Sequence, residues 1–162
     1  MKVNRHVIPL PTEYREELLA STADVADKQA HGIFVPYPTF VDNLFKEMDT
    51  VAASLHHATT GIAGEGGELL DVSKKTWIYG KPLDVEHLIE ELGDLRYYYQ
   101  QVLNMLGLSD KDIQAANMRK LMKRYPDGVY SDKHAQQRLD KAPGSDRKFF
   151  GQQSMNSEGT AE

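Results

Sequence analysis

Gly61-Ile62-Ala63-Gly64-Glu65-Gly66-Gly67-Glu68-Leu69-Leu70 holds an E-x-x-E, and Glu90-Glu91-Leu92-Gly93-Asp94-Leu95 holds an E-x-x-D. Three residues apart on a helix, the two acids of each pair stand only about 60° apart around the axis. Two such helices packed together bring four carboxyl groups to one place. Clustered anions repel one another unless a cation neutralises them, and hard oxygen ligands of this kind select Mg²⁺ or Mn²⁺. Glu65, Glu68, Glu91 and Asp94 are therefore the candidate metal ligands.

Glycines 61, 64, 66 and 67 surround the first pair. Each glycine inside a helix costs roughly 0.5–1 kcal/mol relative to alanine. A helix that only packs has no use for four of them. The stretch is either a loop or a helix whose backbone needs bare surface for a neighbour or a ligand. Leu55, Ile62, Leu69 and Ser73 fall on one stripe through the glycines, which favours the helix.

Working outward, Met1 to Pro11 reads as an extended arm, because Pro9 and Pro11 resist helix. Thr12 is expected to cap a helix running to about Lys28, with Tyr14, Leu18 and Val25 on its apolar side. His31 to Pro38 reads as a loop. Thr39 and Asp42 suggest a capping box, followed by Phe40, Leu44 and Met48, with a break near Asp49 and Thr50. The first carboxylate helix is expected to end near Lys75, and Thr76 to Leu83 to connect it to the second. Asp84 caps that second helix and Gly107 ends it. Its apolar positions Leu88, Leu92, Leu95, Tyr99, Val102 and Leu106 follow the three-four spacing of a bundle seam. Ser109 with Asp112 opens a further helix to about Tyr125, and a short one follows Ser131. No strand periodicity and no repeat is visible. The fold class is all-α: one domain over 1–142, with an extension over 1–50 and a core over 51–142. The Gly/Ser/Gln-rich stretch 143–162 is expected to be a disordered tail.

At about 100° per residue, with Leu88 at zero, the apolar seam covers roughly −40° to +60°, Glu91 falls near −60° and Asp94 near −120°. With Leu55 at zero on the preceding helix, Glu65 falls near −80° and Glu68 near −140°. In both helices the acids are expected beside the seam, where side chains from two helices converge on a cavity at the edge of the core. A single E-x-x-E is ordinarily a solvated face. The second pair, the glycines and the matched placement point instead to a metal site.

A third helix carries the opposite charge. Asn117, Lys120 and Arg124 share one stripe with Ile113. Alone that is an amphipathic face; beside four carboxylates it suggests contacts to phosphate. Trp77 and Tyr79 offer rings for stacking on a base, or for packing in a loop. Lys74 and Lys75 could reach phosphate or finish a helix C-terminus. His56 and His57 read as core residues or as supports behind the metal ligands rather than as ligands, since a di-iron bundle would need Glu-x-x-His motifs that are absent here.

The net charge of −5 argues against a partner that is polymeric nucleic acid. There is no cysteine, hence no disulfide framework and no zinc-thiolate site. No apolar run approaches the ~18 residues of a transmembrane helix, and the N-terminus lacks a signal-peptide pattern. The expectation is a cytoplasmic protein with no membrane partner.

Three motifs in order now resemble a known family. The glycine-rich E-x-x-E, the Glu90-Glu91-x-x-Asp94 run and Asn117-x-x-Lys120-x-x-x-Arg124-Tyr125-Pro126 are similar to those of the MazG-like all-α nucleoside triphosphate pyrophosphohydrolases. The 22 residues between Glu68 and Glu91 fit the family's spacing. Tyr130 to Lys141 also resembles the tail of phage and bacterial members, which implies the cytoplasm of a bacterial cell or a phage-infected host. The resemblance covers about His56 to Lys141. Gly64 stands where the family usually has another glutamate, and residues 1–50 match nothing. The resemblance implies Mg²⁺-dependent cleavage of a (deoxy)nucleoside triphosphate between the α- and β-phosphates. It implies metal ligation by Glu65, Glu68, Glu91 and Asp94, with Glu65 or Glu68 as catalytic base. Substrate contacts would come from Lys74, Trp77, Asn117, Lys120 and Arg124. A homodimer or homotetramer is expected, since two long helices leave apolar faces that one copy does not cover. The alternatives are a phosphoribosyl-ATP pyrophosphohydrolase and a non-catalytic bundle that binds a nucleotide or a protein.

Overall fold

The computed structural model describes residues 8–141, and among them it contains six α-helices, one 3-10 turn and no strand. The helices are α1 (Thr12–Ala30), α2 (Tyr37–Leu44), α3 (Val51–Trp77), α4 (Val85–Leu106), α5 (Asp110–Arg124) and α6 (Asp132–Gln137), followed by the turn at Leu139–Lys141. The fold is all-α. The first seven residues of the expected arm and the expected tail over 143–162 lie outside the described residues.

Side-chain caps set most of the later helix starts. The Thr50 hydroxyl accepts from the Ala53 N–H, Asp84 from the His87 N–H, and Ser131 from the His134 N–H. The Asp112 carboxylate accepts from both the backbone N–H and the hydroxyl of Ser109. Gly107 closes α4 in the left-handed region at φ 62°, which a Cβ would strain. Two early caps differ from expectation. Thr12 is the first residue of α1 rather than its cap, which is Pro11. The Thr39–Asp42 capping box does not form, because α2 opens at Tyr37, directly after Pro36. Pro38 sits in the first turn, where its missing N–H breaks no helical bond. The helix ends as Phe45 turns extended, so Met48 lies beyond it. At its far end α3 runs to Trp77, two residues past the expected Lys75.

Helices α3 and α4 form an antiparallel hairpin that organises the chain. They pack tightly at Gly61: a Cβ built there would lie 2.4 Å from the Tyr98 ring. Gly64, Gly66 and Gly67 have no such neighbour and face open space. His57 extends the contact, stacking on Phe45 at 4.7 Å and meeting Tyr98 edge-on at 6.1 Å. Helix α2 lies across the C-terminal half of α4. There Asn104 donates to the Pro38 carbonyl at 2.8 Å, and Gln101 reaches Asp42 at 3.5 Å. The buried apolar side chains are Val41, Phe45, Ala58, Val72 and Leu103. Helix α1 buries none of its residues.

The expected leucine seam of α4 is partly covered. Leu92 and Leu106 are exposed and Leu88, Leu95, Tyr99 and Val102 half-buried, while Glu91, Gln100, Gln101 and Leu103 are buried. Tyr98, which meets Gly61, stands about 80° around α4 from Leu88, on the same side as Glu91. Seating that ring on the bare glycine turns the acids of α4 toward α3, and Leu92 and Leu106 stay uncovered.

Gly61→Ala should therefore lower stability by about 1–3 kcal/mol, as overpacking does. Gly64→Ala should raise it by about 0.5–1 kcal/mol through helix propensity. Urea denaturation of the two variants separates a glycine needed for contact from one whose added methyl group would meet open space among the described residues.

Candidate metal centre

One turn beyond the Gly61–Tyr98 contact, the close approach of α3 and α4 brings their acids together. Glu65, Glu91 and Asp94 each offer a carboxylate oxygen, and these oxygens all lie within 4.8 Å of one another. Glu91 is buried, Glu65 half-buried and Asp94 exposed. The cluster therefore grades from the helix interface out to solvent, leaving one side open. His87, one turn before Glu91, sets its Nε2 2.8 Å from Glu91 Oε1.

The electrostatics are those of crowded anions. Burial raises the pKa of Glu65. A hydrogen bond shared with Glu91 and the charges of Asp94, Glu91 and Glu68 raise it further. The donor chemistry fits a hard divalent cation: all three groups are carboxylates, with no thiolate and no imidazole among the ligating atoms. A cation there would relieve the repulsion that Glu65 reports.

Glu68 is exposed and stands outside the three-oxygen group, one turn along α3, although its charge reaches Glu65. Lys74 and Lys75 both pair with Asp71 at 2.8 Å, and hold its carboxyl down to about 2. They cap the acidic helix from within. Trp77 is 87% exposed at the end of α3. Asn117 and Lys120 line an open cleft of about 550 Å³ with Tyr99, Ile113, Gln114 and Ala116. Tyr99 is five residues past Asp94, hence about 140° around α4 from it. That cleft and the triad look out from different sides of the helix. Arg124 gives its Nε and Nη2 to the two oxygens of Asp140, each at 2.6 Å. This fork pins the 3-10 turn to α5 and keeps the Asp140 carboxyl below the usual range.

Two partners were not read from the sequence. His87 and Glu91 stand four apart on one helix, a spacing that signals the pair. Asp140 lies 16 residues from Arg124 across a turn, with no local signal to reveal it.

The raised pKa of Glu65 has a definite sign in stability. Between the ordinary glutamate value and its higher folded value, the folded chain holds the extra proton, so stability falls as pH rises through that window. Glu65→Gln should raise the melting temperature of the metal-free protein at neutral pH by a few degrees and flatten its pH dependence. Mg²⁺ should raise the melting temperature of the parent chain at neutral pH and leave that of the variant nearly unchanged. Scanning calorimetry across pH, with and without Mg²⁺, checks both.

Among the described residues no helix is long and apolar enough to cross a membrane. No protein-family model, no curated protein and no solved structure matches the chain.

Proposed function

We propose that the chain is a Mg²⁺-dependent nucleoside triphosphate pyrophosphohydrolase, releasing a monophosphate and pyrophosphate. The observation that carries this reading is the convergence of Glu65 from one motif with Glu91 and Asp94 from the other. Three carboxylates gathered from two helices suit a cation far better than they suit a solvated face. The order and spacing of the three sequence motifs support the phosphoanhydride as substrate. Glu65, Glu91 and Asp94 would hold Mg²⁺, with Mn²⁺ as a substitute. When bound, such an ion neutralises phosphate charge and makes water more acidic. Glu68, exposed and outside the triad, is left free to accept the proton of an attacking water. The open side at Asp94 gives a triphosphate room to approach.

The basic stripe fits this reading through a second copy of the chain. Asn117 and Lys120 look away from their own triad, and exposed Leu92, Leu106, Met118 and Met122 leave apolar surface for a partner. In a homodimer or homotetramer the stripe of one subunit would meet the phosphates held by another. Trp77 is free to stack on a base in the same way, while Lys74 would first have to leave Asp71.

Chromatography of products formed with Mg²⁺ tests the reaction. Monophosphate and pyrophosphate should appear together, EDTA should abolish turnover, and Asp94→Asn should lower kcat by about a hundredfold or more. Stepwise diphosphate and orthophosphate would instead mark a γ-phosphatase, and no turnover of any nucleotide would leave a binding bundle. Arg124 offers a separate check. If its fork binds phosphate only after leaving Asp140, Asp140→Asn should lower KM severalfold, while Arg124→Ala should raise it. Steady-state kinetics on the two variants decide between a phosphate ligand and a tie within the fold.

A further inference from the structure

A second cleft lies where the end of α2 and its following segment meet the start of α3 and the end of α4, at the opposite end of the hairpin from Trp77. It has a volume of about 320 Å³ and is lined by Asp42, Phe45, Glu47, Val51, Ser54, Gln101, Asn104 and Met105. That size is at the small end of ligand pockets. Its position relative to the acids is fixed by helix geometry. Gln101 is seven residues past Asp94 and points within about 20° of the same direction, so it lies about 10 Å further along α4. Ser54 precedes Glu65 by eleven residues and also shares its direction to about 20°, roughly 16 Å along α3. From the cleft toward the triad run aromatic side chains: Phe45, His57 and Tyr98 follow one another in ring contact. An extended nucleotide has this layout, with charge at one end, a flat ring at the other and a sugar between.

The unused side-chain hydrogen-bonding groups in the cleft are mostly of one kind. Its side-chain donors are each engaged. Gln101 Nε2 gives one of its two hydrogens to Asp42, Asn104 Nδ2 is held by the Pro38 carbonyl and Gln101 Oε1, and the Ser54 hydroxyl is engaged with the backbone of Met48. Besides the second N–H of Gln101, what remains are carboxylate oxygens. Asp42 accepts one long bond, and Glu47 is exposed at the rim. The two oxygens of a carboxylate match two parallel N–H donors, as they do for a guanidinium fork. Guanine presents such a pair in its ring N1–H and its exocyclic amino group. Adenine and cytosine place a ring acceptor beside the amino group, and uracil and thymine flank their single N–H with two carbonyl oxygens. Those lone pairs would face carboxylate.

Resting on the pyrophosphohydrolase reading, we infer that this cleft is the base pocket of the substrate and that it selects guanine nucleotides. Asp42 grips the N1–H and amino edge, Gln101 holds Asp42 in place, and Glu47 takes the remaining amino hydrogen. Phe45, Val51 and Met105 supply the apolar walls. Residues of α2 and its following segment, which lie outside the motif-bearing stretch, thereby become the determinants of specificity.

Binding of monophosphates tests the pocket without requiring turnover. Calorimetric titration of the full chain should show GMP binding at least tenfold tighter than UMP or AMP, the discrimination expected of a good bidentate contact. Asp42→Asn should erase most of that preference, and Glu47→Gln should reduce it. Unchanged circular dichroism and melting would show that both variants fold. Pyrophosphate release from GTP, ATP, CTP and UTP is measured in parallel. Equal binding of GMP and UMP, or a preference for GMP that neither variant changes, overturns the pocket, and hydrolysis of all four triphosphates would then leave the pyrophosphohydrolase reading standing. A preference for GMP that Asp42→Asn erases, with no triphosphate hydrolysed, supports the pocket and overturns the reaction instead.

Discussion

The seating of Tyr98 on Gly61 is the constraint from which the rest of the hairpin follows. A bare backbone at that point lets an aromatic ring lie where a Cβ would be only 2.4 Å away. Side chains have almost no room to adjust around such a contact, because packed interiors are as dense as organic crystals. The contact fixes both the spacing of α3 and α4 and the rotation of α4 about its own axis. One turn further along, that rotation delivers Glu91 into the interface and sets Glu65 and Asp94 beside it. Packing thus overcomes an arrangement that electrostatics alone would resist. Burial and three neighbouring negative charges all act against the ionised form of Glu65, yet the carboxyl is held there by the helices on which it rides.

The other half of α4 is polar in an orderly way. Arg96 lies over the rings of Tyr37 and Tyr99 and reaches Asp110 at 2.5 Å. It also donates to Gln100, which donates to Asn104, which donates to the Pro38 carbonyl. Side chains four residues apart thus form a ladder that ties α4 to α2 and to the start of α5. Buried polar groups are tolerable when they satisfy one another in this way. With only a few apolar side chains fully buried, this ladder contributes orientation that a larger hydrophobic core would otherwise supply.

How far the sequence could be read depended on whether each signal was local. The caps Thr50, Asp84 and Ser131 and the stop at Gly107 are set by hydrogen bonds or torsions within a few residues, and they occur where the residue types call for them. Pro11 and Pro36 defeated the same reasoning at α1 and α2. A proline before a helix fixes the entry without any side-chain cap, so Thr12 and Thr39 became ordinary helical residues. Spacing alone picks out Glu65, Glu91 and Asp94, but it picks out Glu68 equally, which stands outside the three-oxygen group. The rotation of α4 was not legible, because the leucines at 88, 92 and 106 outvote one tyrosine in any count of apolar positions. Only the fit of Tyr98 to Gly61, 37 positions apart in the chain, decides which face turns inward. The distribution of Asn117, Lys120 and Arg124 between an open cleft and Asp140 is likewise a matter of tertiary geometry.

Gly64, Gly66 and Gly67, where an added Cβ would meet open space among the described residues, give α3 a mechanical character. They bracket Glu65 with the residues that resist bending least, since glycine gains the most backbone freedom when a helix distorts. The carboxylates of α4 belong to a helix with one interior glycine, at Gly93, held by the polar ladder. The acidic site therefore pairs a compliant jaw with a stiffer one. Mg²⁺ demands short, nearly octahedral oxygen contacts, whereas larger cations accept looser geometry. If the proposed cation binds there, a compliant α3 would let Glu65 travel the fraction of an ångström that separates these cases, and the spring constant of one helical turn, as much as the identity of the ligands, would set which ions these carboxylates accept and how readily they let them go.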